Sequence, residues 1–209
     1  NRIHLNNAGA ALMPRPVLDA MTEHLELEMS IGGYEAATAM RRETEAFYES
    51  LAALIGAQPH QIAFTASATD SYNKALSAIP FERGDVVLTT IDDYVSNQIA
   101  FLQLARRFGV RVIRAANRPE GGLDVKHLAK LLDQHRPRLV AVTHVPTNSG
   151  LVQPVAEVGA LCRERRILYL VDACQSAGQL HLDVQALHCD FLSATFRKFL
   201  RGPRGAGFL

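Results

Sequence analysis

Between residues 15 and 30 apolar side chains recur every three to four positions, at Val17, Leu18, Met21, Leu25 and Met29, behind Pro14 and Pro16. That spacing predicts a helix with one apolar stripe. A second helix is predicted over 41–55, closed by Gly56, a residue suited to the left-handed conformation of a helix end. Beyond it the pattern changes to short apolar runs alternating with amphipathic ones. Strands are expected over 62–65, 85–90, 110–115, 139–143, 167–171 and 190–193, with 207–209 opening another. Helices are expected over 71–79, 96–108, 125–134 and 155–165, the last with Val155, Val158, Leu161 and Cys162 on one face. Strands that are apolar throughout, separated by amphipathic helices, predict an α/β fold with a mostly parallel sheet covered on both faces. No internal repeat or low-complexity segment interrupts it.

Ligands of such sheets bind beyond the carboxyl ends of the strands. The segments to inspect are therefore Ala66-Ser-Ala-Thr-Asp70, Asp92-Asp-Tyr-Val-Ser96, His144-Val-Pro-Thr-Asn148, Asp172-Ala-Cys-Gln-Ser176 and Ala194-Thr-Phe-Arg-Lys198. All are polar where the strands are not. Asp172 follows the apolar run Ile167 to Val171, where a carboxylate is costly unless a cation joins it. Alone it reads as a helix cap; a protonated pyridine nitrogen is the other partner that suits it. Ser67-Ala-Thr69, between a strand and a helix, has the make-up of a phosphate cup, although Ser or Thr there also serves as an ordinary cap. Lys198 beside Arg197 reads either as a solvated basic loop or as an amine tuned by its neighbours, and only four cations fall between Arg197 and Arg204. Tyr94 can lay its ring over a cofactor, and Gln175 can present an amide to a ring hydroxyl; alone, each reads as packing.

Composition narrows the classes. The chain has 209 residues, 48% of them hydrophobic, enough for one sizeable core, and its net charge of +1 gives no global attraction to nucleic acid or anionic membrane. No apolar run approaches the roughly 18 residues of a membrane span, and the start, Asn1-Arg2-Ile3-His4-Leu5, has no signal-peptide pattern. Cys162, Cys174 and Cys189 form no CxxC pair, so no metal site is expected; scattered thiols fit a reducing compartment, and a cytoplasmic protein is expected. The first residue is not Met and Leu209 falls inside an expected strand, so a longer protein is anticipated.

Order and spacing carry more than any single residue. Ser193-Ala-Thr-Phe-Arg-Lys-Phe-Leu-Arg-Gly-Pro-Arg-Gly-Ala-Gly207 resembles the lysine motif of class V aminotransferases, the family of cysteine desulfurases, isopenicillin N epimerase-like proteins and the C–S lyase of ergothioneine synthesis. Asn6-Asn-Ala-Gly9, Thr65-Ala-Ser-Ala-Thr69, His144-Val-Pro-Thr-Asn-Ser-Gly150 and Asp172-Ala-Cys-Gln-Ser176 extend the resemblance over essentially the whole chain.

The resemblance implies a pyridoxal 5′-phosphate (PLP) enzyme of fold type I with a seven-stranded-type sheet, its C-terminal small domain absent from this chain. It implies Lys198 as the Schiff-base lysine, Asp172 as the pyridinium partner, Gln175 on the ring oxygen and Tyr94 stacked on the ring. Ala68 and Thr69 would hold the phosphate, with Thr195 and Arg197 on its other side. Many desulfurases carry His where Tyr94 stands and His where Arg197 stands, which brings this chain closer to the epimerase-like and C–S lyase-like branch. Their Asn on the ring oxygen aligns with Thr147, with Asn148 one place later, and the choice between the two stays open. The family's catalytic cysteine and substrate-carboxylate arginine lie beyond Leu209, so the three cysteines here read as core or packing thiols. The resemblance further implies a homodimer and an amino-acid substrate, with residues 1–40 an N-terminal segment serving the active site and the dimer, and 41–209 the PLP-binding large domain. C–S cleavage of a cysteine-like substrate is the expected reaction, with transamination or epimerisation as alternatives. Of two other classes, a nicotinamide-dependent dehydrogenase lacks its glycine-rich turn, since Phe64 is followed by Thr-Ala-Ser-Ala-Thr. A non-catalytic descendant of the fold sits poorly with the retention of Lys198, Asp172 and the cup.

Overall fold

A computed structural model describes residues 3–209; Asn1 and Arg2, the first two residues of the expected 1–40 segment, lie outside the described residues. Three helices come first: α1 (Arg15–Ile31), α2 (Gly33–Ala39) and α3 (Arg41–Ile55). Helix α3 ends as expected, with Gly56 at φ 69°, where any other residue pays for its Cβ. Then strands and helices alternate: β1 (Phe64–Thr65), α4 (Ala68–Ala78), β2 (Val86–Thr90), α5 (Val95–Phe108), β3 (Arg111–Ala115), α6 (Val125–His135), β4 (Leu139–Thr143), α7 (Val155–Arg165), β5 (Leu168–Asp172), α8 (Val184–Leu187), β6 (Phe191–Thr195) and β7 (Gly207–Phe208).

The seven strands form one sheet in the order β1-β7-β6-β5-β4-β2-β3. Strands β3, β2, β4, β5 and β6 are mutually parallel, and β7 runs antiparallel to both β6 and β1. The expected fold class is therefore present, and the period of two along each strand explains its layers. Val87, Leu139, Ala141 and Leu170 face α4 and α5, packing with Tyr72, Leu76, Phe101 and Leu104. Leu88, Val140, Val142 and Val171 face the other way, toward Leu51 and Ile55 of α3, Leu128 and Leu132 of α6 and Val158 of α7.

Three differences from the sequence reading matter. Helix α4 begins at Ala68 rather than 71 because the Ser67 side chain accepts the Asp70 N–H at 3.1 Å and caps it. Residues Ala68 and Thr69 thus lie in its first turn, where backbone N–H groups have no helical partner. Helices α2 and α8 were not expected, being too short, at 7 and 4 residues, to show a period. Helix α1 has no buried residue: Leu18, Met21, Leu25 and Met29 remain exposed among the described residues.

Candidate active site

The carboxyl ends of β4, β5 and β6 are brought level by the sheet register, which pairs Thr143 with Asp172 and Asp172 with Ser193. Just beyond them, Lys198, Asp172 and Cys174 share a cleft with Tyr94 and Asn97 from the start of α5 and with Ser67, Ala68 and Thr69 from the start of α4. Thr195 and Arg197 complete its lining. A larger hollow of about 810 Å³ opens at the amino ends of β5 and β6, between Ile55, Arg163, His188 and Leu209, and gathers none of these groups. The residues singled out by sequence therefore gather at the narrower cleft.

Lys198 and Asp172 are respectively 5% and 4% exposed, yet among the described residues they form no ion pair with each other. Burial holds the Lys198 amine below the ordinary lysine range, with Cys174 and Asp172 pulling it up and Arg197 pushing it further down. Its Nζ stands 5.5 Å from the centroid of the Tyr94 ring. Asp172 is held by two donors: Oδ1 accepts the Cys174 N–H at 2.9 Å and Oδ2 accepts Asn97 Nδ2 at 2.9 Å. Among the described residues Asp172 has these two neutral donors and no ion-pair partner in contact with it.

Ala68 and Thr69 line the cleft from the first turn of α4, where backbone N–H groups have no helical partner. Thr69 Oγ1 lies 3.4 Å from Ser96 Oγ, and Thr195 Oγ1 is 3.4 Å from the Ala206 carbonyl. Arg197 donates from Nη1 to the Gly9 carbonyl, and its own carbonyl accepts the Ala11 N–H at 2.8 Å. The Asn6–Ala11 turn is thus stitched to the wall of the cleft.

Thr147, Asn148 and Gln175 stand beside the cleft, not in its lining. Gln175 Nε2 donates to the Ala8 carbonyl at 3.0 Å and to Thr147 Oγ1 at 2.7 Å, which uses both its hydrogens and leaves Oε1 buried without a partner. Asn148 Nδ2 reaches Asp92 at 3.1 Å instead. One reading of the thiols is corrected. Cys162 is in the core and Cys189 packs against it, but Cys174 lines the cleft, because the chain turns sharply after β5 to bring its N–H onto Asp172. Burial pushes its thiol well above the usual range.

Three residues of the site escape a reading by sequence. Asp93 falls in the 92–96 segment but takes no role there in the sequence reading, and Asn97 lies just past it; what links them in sequence is an i, i+4 spacing across the start of a helix that follows a strand. In sequence Gly207 reads as the end of the lysine motif and the opening of a strand, with no contact to the cup foreseen. A Cβ there would stand 2.5 Å from the Ser67 carbonyl carbon and 2.9 Å from the Ala68 nitrogen, so only glycine lets β7 pass this close to the cup.

Residues 3–209 match the sequence model of the family described as Aminotransferase class-V. The chain is 33% identical over 214 residues to a "Probable cysteine desulfurase" of Methanothermobacter thermautotrophicus, an alignment covering 100% of this chain and 52% of that protein. Among solved structures it superposes on the cystine C–S lyase C-DES in complex with its reaction product cysteine persulfide, with a TM-score of 0.88 and 27% identity over 97% of this chain and 55% of that one. It also superposes on a C-DES mutant with glycine covalently linked to the PLP cofactor, with a TM-score of 0.90 and 27% identity over 100% of this chain and 56% of that one. The chain spans about half the length of the curated relatives it matches.

Proposed function

The chain belongs to the class-V aminotransferase family, and from that footing we propose that it serves a PLP-dependent enzyme that cleaves the C–S bond of a cysteine-like amino acid. One observation carries the proposal: a buried lysine and a buried carboxylate line one cleft without touching, beside a helix start that offers free N–H groups. That donor set fits PLP. Asp172 would face the ring nitrogen, Tyr94 the ring, and Ala68, Thr69, Thr195 and Arg197 the phosphate, while Lys198 supplies the attaching amine. The unpartnered Gln175 Oε1 and Thr147, or else Asn148, would serve the ring oxygen.

When bound, PLP supplies an aldehyde for amine exchange and a ring that accepts electrons from the substrate Cα. The rest is the work of this chain. Lys198 takes the proton from Cα, and its depressed pKa makes the neutral amine available for that step. Asp172 would stand against the ring nitrogen and favour a proton there. The Asn6–Ala11 turn, fastened to Arg197 and Gln175, shields one side of the cleft; residues 1–40 would serve the site in this way, and 41–209 would form the large domain.

The test is incubation of the full-length, PLP-loaded enzyme with cysteine, cystine and substituted cysteine sulfoxides. Release of sulfur species or pyruvate, with the cofactor kept in its aldehyde form, is the expected result. Accumulation of pyridoxamine phosphate, recycled by an α-keto acid without sulfur release, makes the protein an aminotransferase.

A homodimer is proposed as well, with the uncovered stripe of Leu18, Met21, Leu25 and Met29 on α1 as part of its surface. Sedimentation of the full-length, PLP-loaded protein should give twice the mass of the chain, and a monomer removes the claim. Its three free thiols support a cytoplasmic setting; among the described residues no helix is long and apolar enough to cross a membrane.

A further inference from the structure

Behind Asp172 lies a group of polar side chains for which the scheme above has no task. Asn97, 2% exposed, sends one amide nitrogen to two acids: Nδ2 donates to Asp172 Oδ2 at 2.9 Å and to Asp93 Oδ1 at 3.0 Å. Its orientation is settled by those partners, because a flipped amide would set its carbonyl oxygen against two carboxylates. Asp93 is in turn fixed on every side. Its Oδ1 accepts Thr143 Oγ1 at 2.6 Å and the Tyr94 N–H at 2.7 Å, and its Oδ2 accepts Gln98 Nε2 at 2.6 Å. Gln98 Oε1 takes Arg114 Nε at 3.1 Å and Nη2 at 2.6 Å. A continuous line of donors and acceptors therefore runs from an exposed guanidinium on β3 to the buried carboxylate in the cleft.

We propose that Asn97 is the positioning residue of Asp172, holding that carboxylate against the ring nitrogen with Asp93 as its anchor. The inference rests on the reading of Asp172 as the ring-nitrogen partner. Pinning the start of α5 does not account for the arrangement. Asp93 already does that through the Tyr94 N–H, whereas the bond from Asn97 to Asp172 ties α5 to β5 across 75 positions of sequence. The two hydrogens of one amide also separate two acids that would otherwise repel each other at close range. The titratable and charged groups that act on this pair are Tyr72 from α4, Cys174, Lys198 and, through the last two, Arg197. Burial raises the Asp93 carboxyl against the pull of its donors. The four donors on it, Thr143, Asn97, Gln98 and the Tyr94 N–H, are what suit a carboxylate rather than an acid there, and that carboxylate would add negative potential behind Asp172 and so favour a proton on the ring nitrogen.

The experiment uses full-length enzyme loaded with PLP carrying ¹⁵N in the ring, with the ring-nitrogen signal followed against pH and PLP release measured alongside. Asn97→Leu keeps the volume and removes both donors; Asp93→Asn keeps the shape and removes the charge, and carries the test if the first variant does not fold. In both, the ring nitrogen should lose its proton at lower pH than in the wild type, and Asn97→Leu should release PLP about tenfold more readily, as the loss of one hydrogen bond to a charged group implies. A ring-nitrogen titration and PLP release equal to the wild type in both variants, while Asp172→Ala shifts them, overturns the proposal and leaves the proposed function standing. If Asp172→Ala shifts nothing, or PLP does not attach at Lys198, the proposed function falls and this inference with it.

Discussion

Lys198→Ala protein is expected to bind PLP without covalent attachment and to lose turnover by about three orders of magnitude or more, the combined loss of the attaching amine and of a positioned base. The chain offers no substitute. Its other lysines are Lys74, Lys126 and Lys130, and all three are exposed, while Lys198 alone is buried at the cleft. Borohydride reduction followed by peptide mass analysis should fix the cofactor to the Lys198 peptide in the wild type and to nothing in the variant. A borohydride-stable adduct in Lys198→Ala would show that another amine does the work.

The same substitution has a second signature, in stability. Burial places the folded pKa of Lys198 below the usual 10.5. Between those two values the unfolded chain binds more protons than the folded one, so stability of the unloaded protein rises with pH through that window. It is fully present above the unfolded value and falls away as pH drops through the folded one. Lys198→Ala should flatten this slope in denaturant titrations at a series of alkaline pH values.

The layered sheet was legible because its strands are buried on both sides. Runs such as Leu139 to Val142 are apolar throughout, and the first polar group, Thr143, comes only at the last position of the strand. The same logic located Lys198 and Asp172, each the first group of its kind at a strand end. It could not assign the neighbours of Gln175. The choice between Ala8, Thr147 and a ligand for its amide hydrogens depends on how the Asn6–Ala11 turn folds back over β5, a contact between residues 167 positions apart. Asn97 and Asp93 were hidden for a related reason. An acid just before a helix and an amide in its first turn look like capping residues in sequence, and only the placement of α5 against β4 and β5 brings Asn97 onto Asp172 and Asp93 onto Thr143. Cys174 was misread because a buried cysteine and a cysteine lining a cleft leave the same mark on a sequence.

Asp172→Ala is expected to fold but to hold PLP about ten- to a hundredfold more weakly, the equivalent of one strong hydrogen bond between charged partners. Turnover should drop as well, because an unprotonated ring accepts electrons poorly. Part of any loss would come from the two donors left behind, the Cys174 N–H and Asn97 Nδ2, each costing about 1–3 kcal/mol if it finds no water. Asp172→Asn separates the two effects. Its amide keeps the shape and an oxygen for the Cys174 N–H, so a residue that only organised the turn after β5 would leave the asparagine variant close to wild type. A carboxylate needed for its charge would make asparagine nearly as damaging as alanine for PLP release, measured by dialysis against absorbance of the bound cofactor. Wild-type PLP retention and turnover in Asp172→Asn would return Asp172 to the role of a turn cap, and the paired burial of Asp172 and Lys198 in one cleft would need another explanation.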